Sequence, residues 1–296
     1  MKQYQTHHIC RVDEMHKPSF IVGLGLCLVA LAAQLAAADQ ILTIGEGNRA
    51  DFVNLNGQIK LYPVAHPTTF IKLKLARLEE VNATGNVEQA VTNFQADSFT
   101  WTAPELQTIG GVNATSISMR KLMNSRTNTT FGITALVFHE NTRTAYGTGT
   151  VDVYSRAVKF TVQIEKWPFL SPFNKLRLVA EVLYIGGDAA ANGQAKQLPS
   201  GETRYAFGPG AVDTQSQSIN DGLMMNAQSK LTAIGSAQAM QWTFNSFTSN
   251  LEYDSTLHVF GAEEEEDDRS AAAASMNQLS LCAIAIASAA VLARVL

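Results

Sequence analysis

Residues 157–185 read AVKFTVQIEKWPFLSPFNKLRLVAEVLYI, and this stretch limits the possible folds more than any other. In its first arm Val158, Phe160, Val162 and Ile164 alternate with Lys159, Thr161, Gln163 and Glu165. In its second, Leu176, Leu178, Ala180, Val182 and Tyr184 alternate with Lys175, Arg177 and Glu181. Successive side chains of a strand point to opposite faces, so each arm is a strand with one apolar face and one face expected in water. Pro168 and Pro172 lack an N–H and cannot continue a central ladder, so the chain must turn between the arms. Trp167, Phe169 and Phe173 are placed by that turn to plug the end of a core.

The same period recurs from residue 39 to residue 260. Ile71, Leu73 and Leu75 alternate with Lys72, Lys74 and Ala76, and Phe131, Ile133, Ala135 and Val137 share a face, as do Met240, Trp242 and Phe244. Turn residues separate these runs, among them Gly110-Gly111 and Asn220-Asp221-Gly222, the latter suited to positive φ. HENTRTAYG, residues 139–147, reads as a polar hairpin loop, and residues 227–237 are ambiguous between helix and strand. Many short strands with frequent turns predict an all-β fold, a single large antiparallel β-sandwich over residues 39–260. Its expected core includes Phe160, Val162, Ile164, Trp167, Phe169, Leu176, Leu178, Val182, Trp242 and Phe244.

Both ends read as processing signals. Lys2, Arg11 and Lys17 precede an apolar run, and Ala36-Ala37-Ala38 supplies small residues, so residues 1–38 form a secretory signal peptide cleaved before Asp39. At the other end, EEEEDD (263–268) belongs to an acidic stalk over residues 261–270. The small triplet Ser270-Ala271-Ala272, a polar spacer and an apolar run to Leu296 make residues 271–296 a propeptide directing a glycosylphosphatidylinositol anchor, with Ser270 as the attachment residue. A C-terminal transmembrane helix is the competing reading, since the run is just long enough. The cysteines, Cys10, Cys27 and Cys282, all fall outside residues 39–260, so the domain must stabilise itself by burial without a disulfide.

Asn82, Asn113 and Asn128 each open an Asn-x-Thr triplet, the acceptor sequence for N-glycosylation in a eukaryotic secretory path. No catalytic residue is assigned: the chain has no Gly-x-Ser-x-Gly elbow, and His66, His139 and His258 read as loop, strand-end and strand residues. No metal site or cofactor is assigned either, for want of zinc-type histidine spacing or a calcium loop. Residues 39–262 carry 18 acids against 17 bases, and without a basic stripe nucleic acid is not an expected partner. The acidic run reads first as a solvated stalk, and second as a weak, multivalent calcium or mineral contact.

VKFTVQIEKWPF followed by NKLRLVAEV, with the later WTFNSFTSNLEYDSTLHV, resembles a group of secreted eukaryotic β-rich proteins that includes the acidic skeletal organic matrix proteins of corals. The likeness covers roughly residues 99–259 and centres on the Trp-Pro-Phe corner and on Phe247, Leu251, Tyr253 and Asp254. It implies a shared fold more than a shared activity. The expected protein is a non-enzymatic glycoprotein at the extracellular face of the plasma membrane, acting in surface coat, adhesion or matrix interaction. Its membrane attachment would be the lipid anchor, and its partners a carbohydrate, a matrix component or a cell-surface protein. A calcium- or mineral-associated matrix protein is the first alternative, and a secreted carbohydrate-active enzyme on a sandwich scaffold is the second.

Overall fold

The computed structural model describes residues 39–259 apart from positions 46, 55–56, 93, 95–98, 125 and 187–192. The expected signal peptide (1–38), acidic stalk (261–270), anchor residue Ser270 and propeptide (271–296) lie outside the described residues.

In chain order the strands are β1 (Gln40–Ile44), β2 (Asn48–Val53), β3 (Gln58–Pro63), β4 (Phe70–Val81), β5 (Val87–Val91), β6 (Glu105–Ile109), β7 (Val112–Asn124), β8 (Thr129–Phe138), β9 (Thr142–Tyr146) and β10 (Gly149–Val153). They continue with β11 (Ala157–Glu165), β12 (Lys175–Ile185), β13 (Ala195–Gln197), β14 (Thr203–Phe207), β15 (Gly210–Thr214), β16 (Gln217–Asn220), β17 (Leu223–Ile234), β18 (Ala237–Asn245) and β19 (Asn250–Val259). The fold is all-β: every pairing is antiparallel, and no α-helix occurs among the described residues. Seventeen of the strands among the described residues join in one continuous hydrogen-bonded sheet, which doubles back on itself. One leaf contains β1-β2-β3-β4-β12-β18-β17, with β5 on the far half of β4. The other contains β6-β7-β8-β11-β19, with β15 and β16 along the outer side of β19. The ambiguous residues 227–237 fall mostly in β17, the strand that links the leaves: it pairs with β16 through Asn226 and with β18 from Ala227. Asp221 (φ 51°) and Gly222 (φ 82°) close the β16–β17 hairpin, the backbone that Asn-Asp-Gly favours.

Each arm of the 157–185 stretch is an interior strand of a different leaf. β11 lies between β8 and β19, and β12 between β4 and β18. The aromatic corner is therefore a crossing between leaves. Phe160, Val162 and Ile164 of β11 are buried in one apolar core with Leu176, Leu178 and Val182 of β12 and with Trp242 and Phe244 of β18. Phe160 meets Trp242 edge-on at 6.5 Å, and Phe244 lies 4.9 Å from Tyr253 across the gap between leaves.

Trp167 is buried at the corner, and Phe169 is half-buried with its ring edge-on to Phe247 at 5.3 Å. Phe173 corrects the sequence reading: it is 84 % exposed and plugs nothing. Asn174 takes the inward position instead, because a fully buried carboxylate, Glu80, waits there for a donor. Glu80 accepts from Asn174 Nδ2 (2.5 Å), Gln89 Nε2 (2.5 Å), Leu170 N–H (2.8 Å) and Trp167 Nε1 (3.2 Å). Burial alone would raise the Glu80 pKa; the four donors outweigh it and hold the carboxyl below its usual range.

The polar face of β11 is a second correction. Lys159 and Thr161 are buried, and of the expected outward residues between Lys159 and Gln163 only Gln163 is exposed. The cover comes from the segment that reads as a polar loop. Residues 142–146 form β9, which among the described residues pairs with β10 alone, and this hairpin lies on the outer face of the leaf. Tyr146, Val151 and Val153 pack with Ala114 and Phe138 into a second small core. The Tyr146 hydroxyl donates to the Gln217 carbonyl at 2.9 Å.

Candidate functional site

Two groups of charged side chains stand out, one buried and one open. The buried group lies on the outer face of the β11 leaf. The Lys159 ammonium pairs with Asp254, and Thr161 Oγ1 donates to Asp254 Oδ1 at 2.7 Å. Four residues further along β19, His258 Nε2 stands 2.7 Å from Asp213 Oδ2, and Arg204 donates to the two oxygens of Asp213 at 2.8 and 2.9 Å. Burial would raise the Asp213 pKa, but the neighbouring His258 and Arg204 hold it well below the usual carboxylate range. Glu202 shifts the other way: burial, then the charge of Asp213, raise it against hydrogen bonds from Ser200 and Gln215. A histidine–carboxylate contact is half of a general-base pair. Here both members are buried, and the Tyr154 ring lies 5.7 Å from the imidazole. The chemistry this arrangement supports is charge balance inside the fold. Among the described residues, no three His, Cys, Asp or Glu side chains gather as a metal-binding group.

The open group lies on the outer face of the other leaf. Lys60 of β3, Lys72, Lys74 and Arg77 of β4, Lys175 and Arg177 of β12, and Lys230 of β17 occupy the outward positions of their strands, none of them fully buried. Glu181 pairs with Lys74 at 3.1 Å, and Glu79 takes both Arg77 (3.0 Å) and Arg177 (2.6 Å). Lys60 stands directly opposite Lys72 across the β3–β4 ladder, an arrangement that costs stability. Burial, then the charges of Lys74 and Lys60, lower the Lys72 pKa. Lys60 rests 4.6 Å from the ring centres of Tyr62 and Phe70, which offsets part of that repulsion.

At the corner end of this face is an open depression of about 460 Å³, lined by Lys175, Arg177, Lys230, Gln228, Gln241 and Thr243, with the β4–β5 turn as its rim. The register makes it: Arg177, Thr243 and Gln228 lie in one row across β12, β18 and β17, and Gln241 with Lys230 forms the next. Sequence reasoning missed this face because the charge count of the domain is nearly balanced. The signal was nevertheless present, since the bases fall on the outward beats of the same alternation that places the core.

The acceptor asparagines are in turns or at strand starts. Asn82 is in the β4–β5 turn on the rim of the depression, where its Oδ1 accepts from Thr84 Oγ1 at 2.7 Å. Asn113 is exposed near the start of β7. Asn128 is exposed in the β7–β8 turn with φ 54°.

The profile of the family described as acidic skeletal organic matrix protein matches residues 66–175. That interval runs from the turn before β4 to the first residue of β12, and so includes Glu80, β11 and the corner that Glu80 holds. It meets the likeness read from the sequence over residues 99–175 and extends it back to residue 66. The later WTFNSFTSNLEYDSTLHV segment lies beyond the match. No curated protein matches the chain.

Proposed function

We propose that this is an extracellular, matrix-associated surface protein that works by binding and not by catalysis. The carrying observation is the family match over residues 66–175, which runs from β4 through β11 and the corner and carries a description tied to a skeletal organic matrix. Three glycosylation triplets at turns or strand starts, and a domain region without cysteine, fit a glycosylated ectodomain stabilised by its core. On this reading the lipid anchor at Ser270 holds the domain at the outer face of the plasma membrane, and the acidic run spaces it from the bilayer. The family description also favours a second reading, a mineral-associated matrix protein in which the acidic run meets calcium weakly.

Anchoring has a direct test. Treating intact expressing cells with phosphatidylinositol-specific phospholipase should release the protein, and mass spectrometry of the released pool should find no peptide from residues 279–296. Recovery of such a peptide from surface protein would establish the membrane-spanning alternative.

A further inference from the structure

We propose that the outer face of the β4–β12–β18–β17 leaf binds an acidic polysaccharide, one bearing carboxylate or sulfate groups along an extended chain. The inference rests on the matrix-protein reading and adds a ligand class and a site to it.

The charges are arranged for such a ligand. Lys60 and Lys72 lie at one end of the face and Lys175 and Arg177 at the other, with Lys230 in a row between them. Lys72 stands opposite Leu183 and Lys175 opens the same strand, so the two ends are about 26 Å apart along β12. A compact anion could satisfy one end only, whereas a linear polyanion along the strands reaches both. The carboxylates on this outer face of β4 and β12, Glu79 and Glu181, are already taken by arginine and lysine partners. Among the described residues Lys175 and Lys230 have no ionic partner, and the opposed Lys60–Lys72 pair would gain from an anion placed between them. Lysine is a flexible point charge with no bidentate demand, which suits acidic groups spaced along a sugar chain better than a single fixed phosphate.

The uncharged lining points to sugar. Gln228, Gln241 and Thr243 present amide and hydroxyl groups that both donate and accept, as sugar hydroxyls require. No aromatic ring lines the depression, so the stacking platform expected for single-stranded nucleic acid is missing there. The depression is open, as it must be for a chain that enters and leaves.

The test uses the intact protein released from cells, immobilised polygalacturonate and heparin as probes, and neutral dextran as control. A chelator is present throughout, so that no divalent cation bridges the ligand to the acidic run. The protein should bind both acidic polymers, ignore dextran and elute with salt. The quadruple variant Lys60→Gln/Lys72→Gln/Lys175→Gln/Lys230→Gln should bind at least about tenfold more weakly. Lys196→Gln, on the other leaf, should bind as wild type, and unchanged circular dichroism will show that the quadruple variant is folded. Unchanged affinity in the quadruple variant, an equal loss with Lys196→Gln, or tighter binding to single-stranded DNA than to either polysaccharide would each overturn the proposal. An extracellular protein blind to both polymers refutes the ligand and leaves the matrix reading standing; an intracellular protein that binds them does the reverse.

Discussion

Lys159→Met is expected to cost about 3–5 kcal/mol of folding stability, although it replaces a strand residue whose sequence context marks it for the surface. The reason is the partner it abandons. Asp254 is buried, and without the ammonium its charge retains, among the described residues, one short-range side-chain donor, the Thr161 hydroxyl. Removing both charges together should be far milder, because an apolar pair of similar volume carries no desolvation penalty. Lys159→Met/Asp254→Leu should therefore recover most of the loss, and the four proteins form a double-mutant cycle readable by urea denaturation. A single-variant cost below about 1 kcal/mol would be the value for an exposed pair, and would mean that the β9–β10 hairpin does not seal this face.

Glu80→Ala should be comparably damaging, at about 3–5 kcal/mol, since it strands four donors that the corner has turned inward. Glu80→Gln keeps one acceptor and should cost less. The pair also separates by pH. The Glu80 pKa is depressed in the fold, so its contribution is fully present above the unfolded carboxylate value of about 4.3 and is lost as pH falls through the lower folded value. Glu202 and Glu252 have raised pKa values and act in the opposite sense, favouring folding in acid and losing that contribution as pH rises. The informative quantity is thus the difference between wild type and Glu80→Gln, which should shrink as the solution is acidified below pH about 4. A constant difference across that range would show that the ionised carboxylate is not what holds the corner.

Much of the architecture follows from period alone. The two arms around the corner are strands because apolar and polar residues alternate in them, and Phe160, Val162, Leu176 and Leu178 are buried on the face that the alternation selects. What the pattern could not supply is the second layer. Thr142–Tyr146 reads as loop because its only large apolar side chain is Tyr146, yet that ring seals a second core against Phe138 and the valines of β10. Once the hairpin is in place, Lys159, Thr161 and Asp254 change from solvated to buried, a change that depends on chain distant in sequence. Phe173 fails for the converse reason. A local aromatic cluster suggested a plug, but the distant Glu80 decides which side of the corner faces inward. The basic face was half legible: Lys72 and Lys74 announce themselves as outward neighbours on β4, whereas their meeting with Lys60 requires the β3–β4 register.

The place of the protein outside the cell is tested most directly by recovering it from the cells that make it. Surface and extracellular-matrix fractions should be separated from cytosol, and the N-terminus of each pool sequenced. The expected result is a glycosylated protein in the surface and matrix fractions whose chain begins at Asp39. A cytosolic pool that still carries residues 1–38, with no counterpart outside the cell, would contradict it.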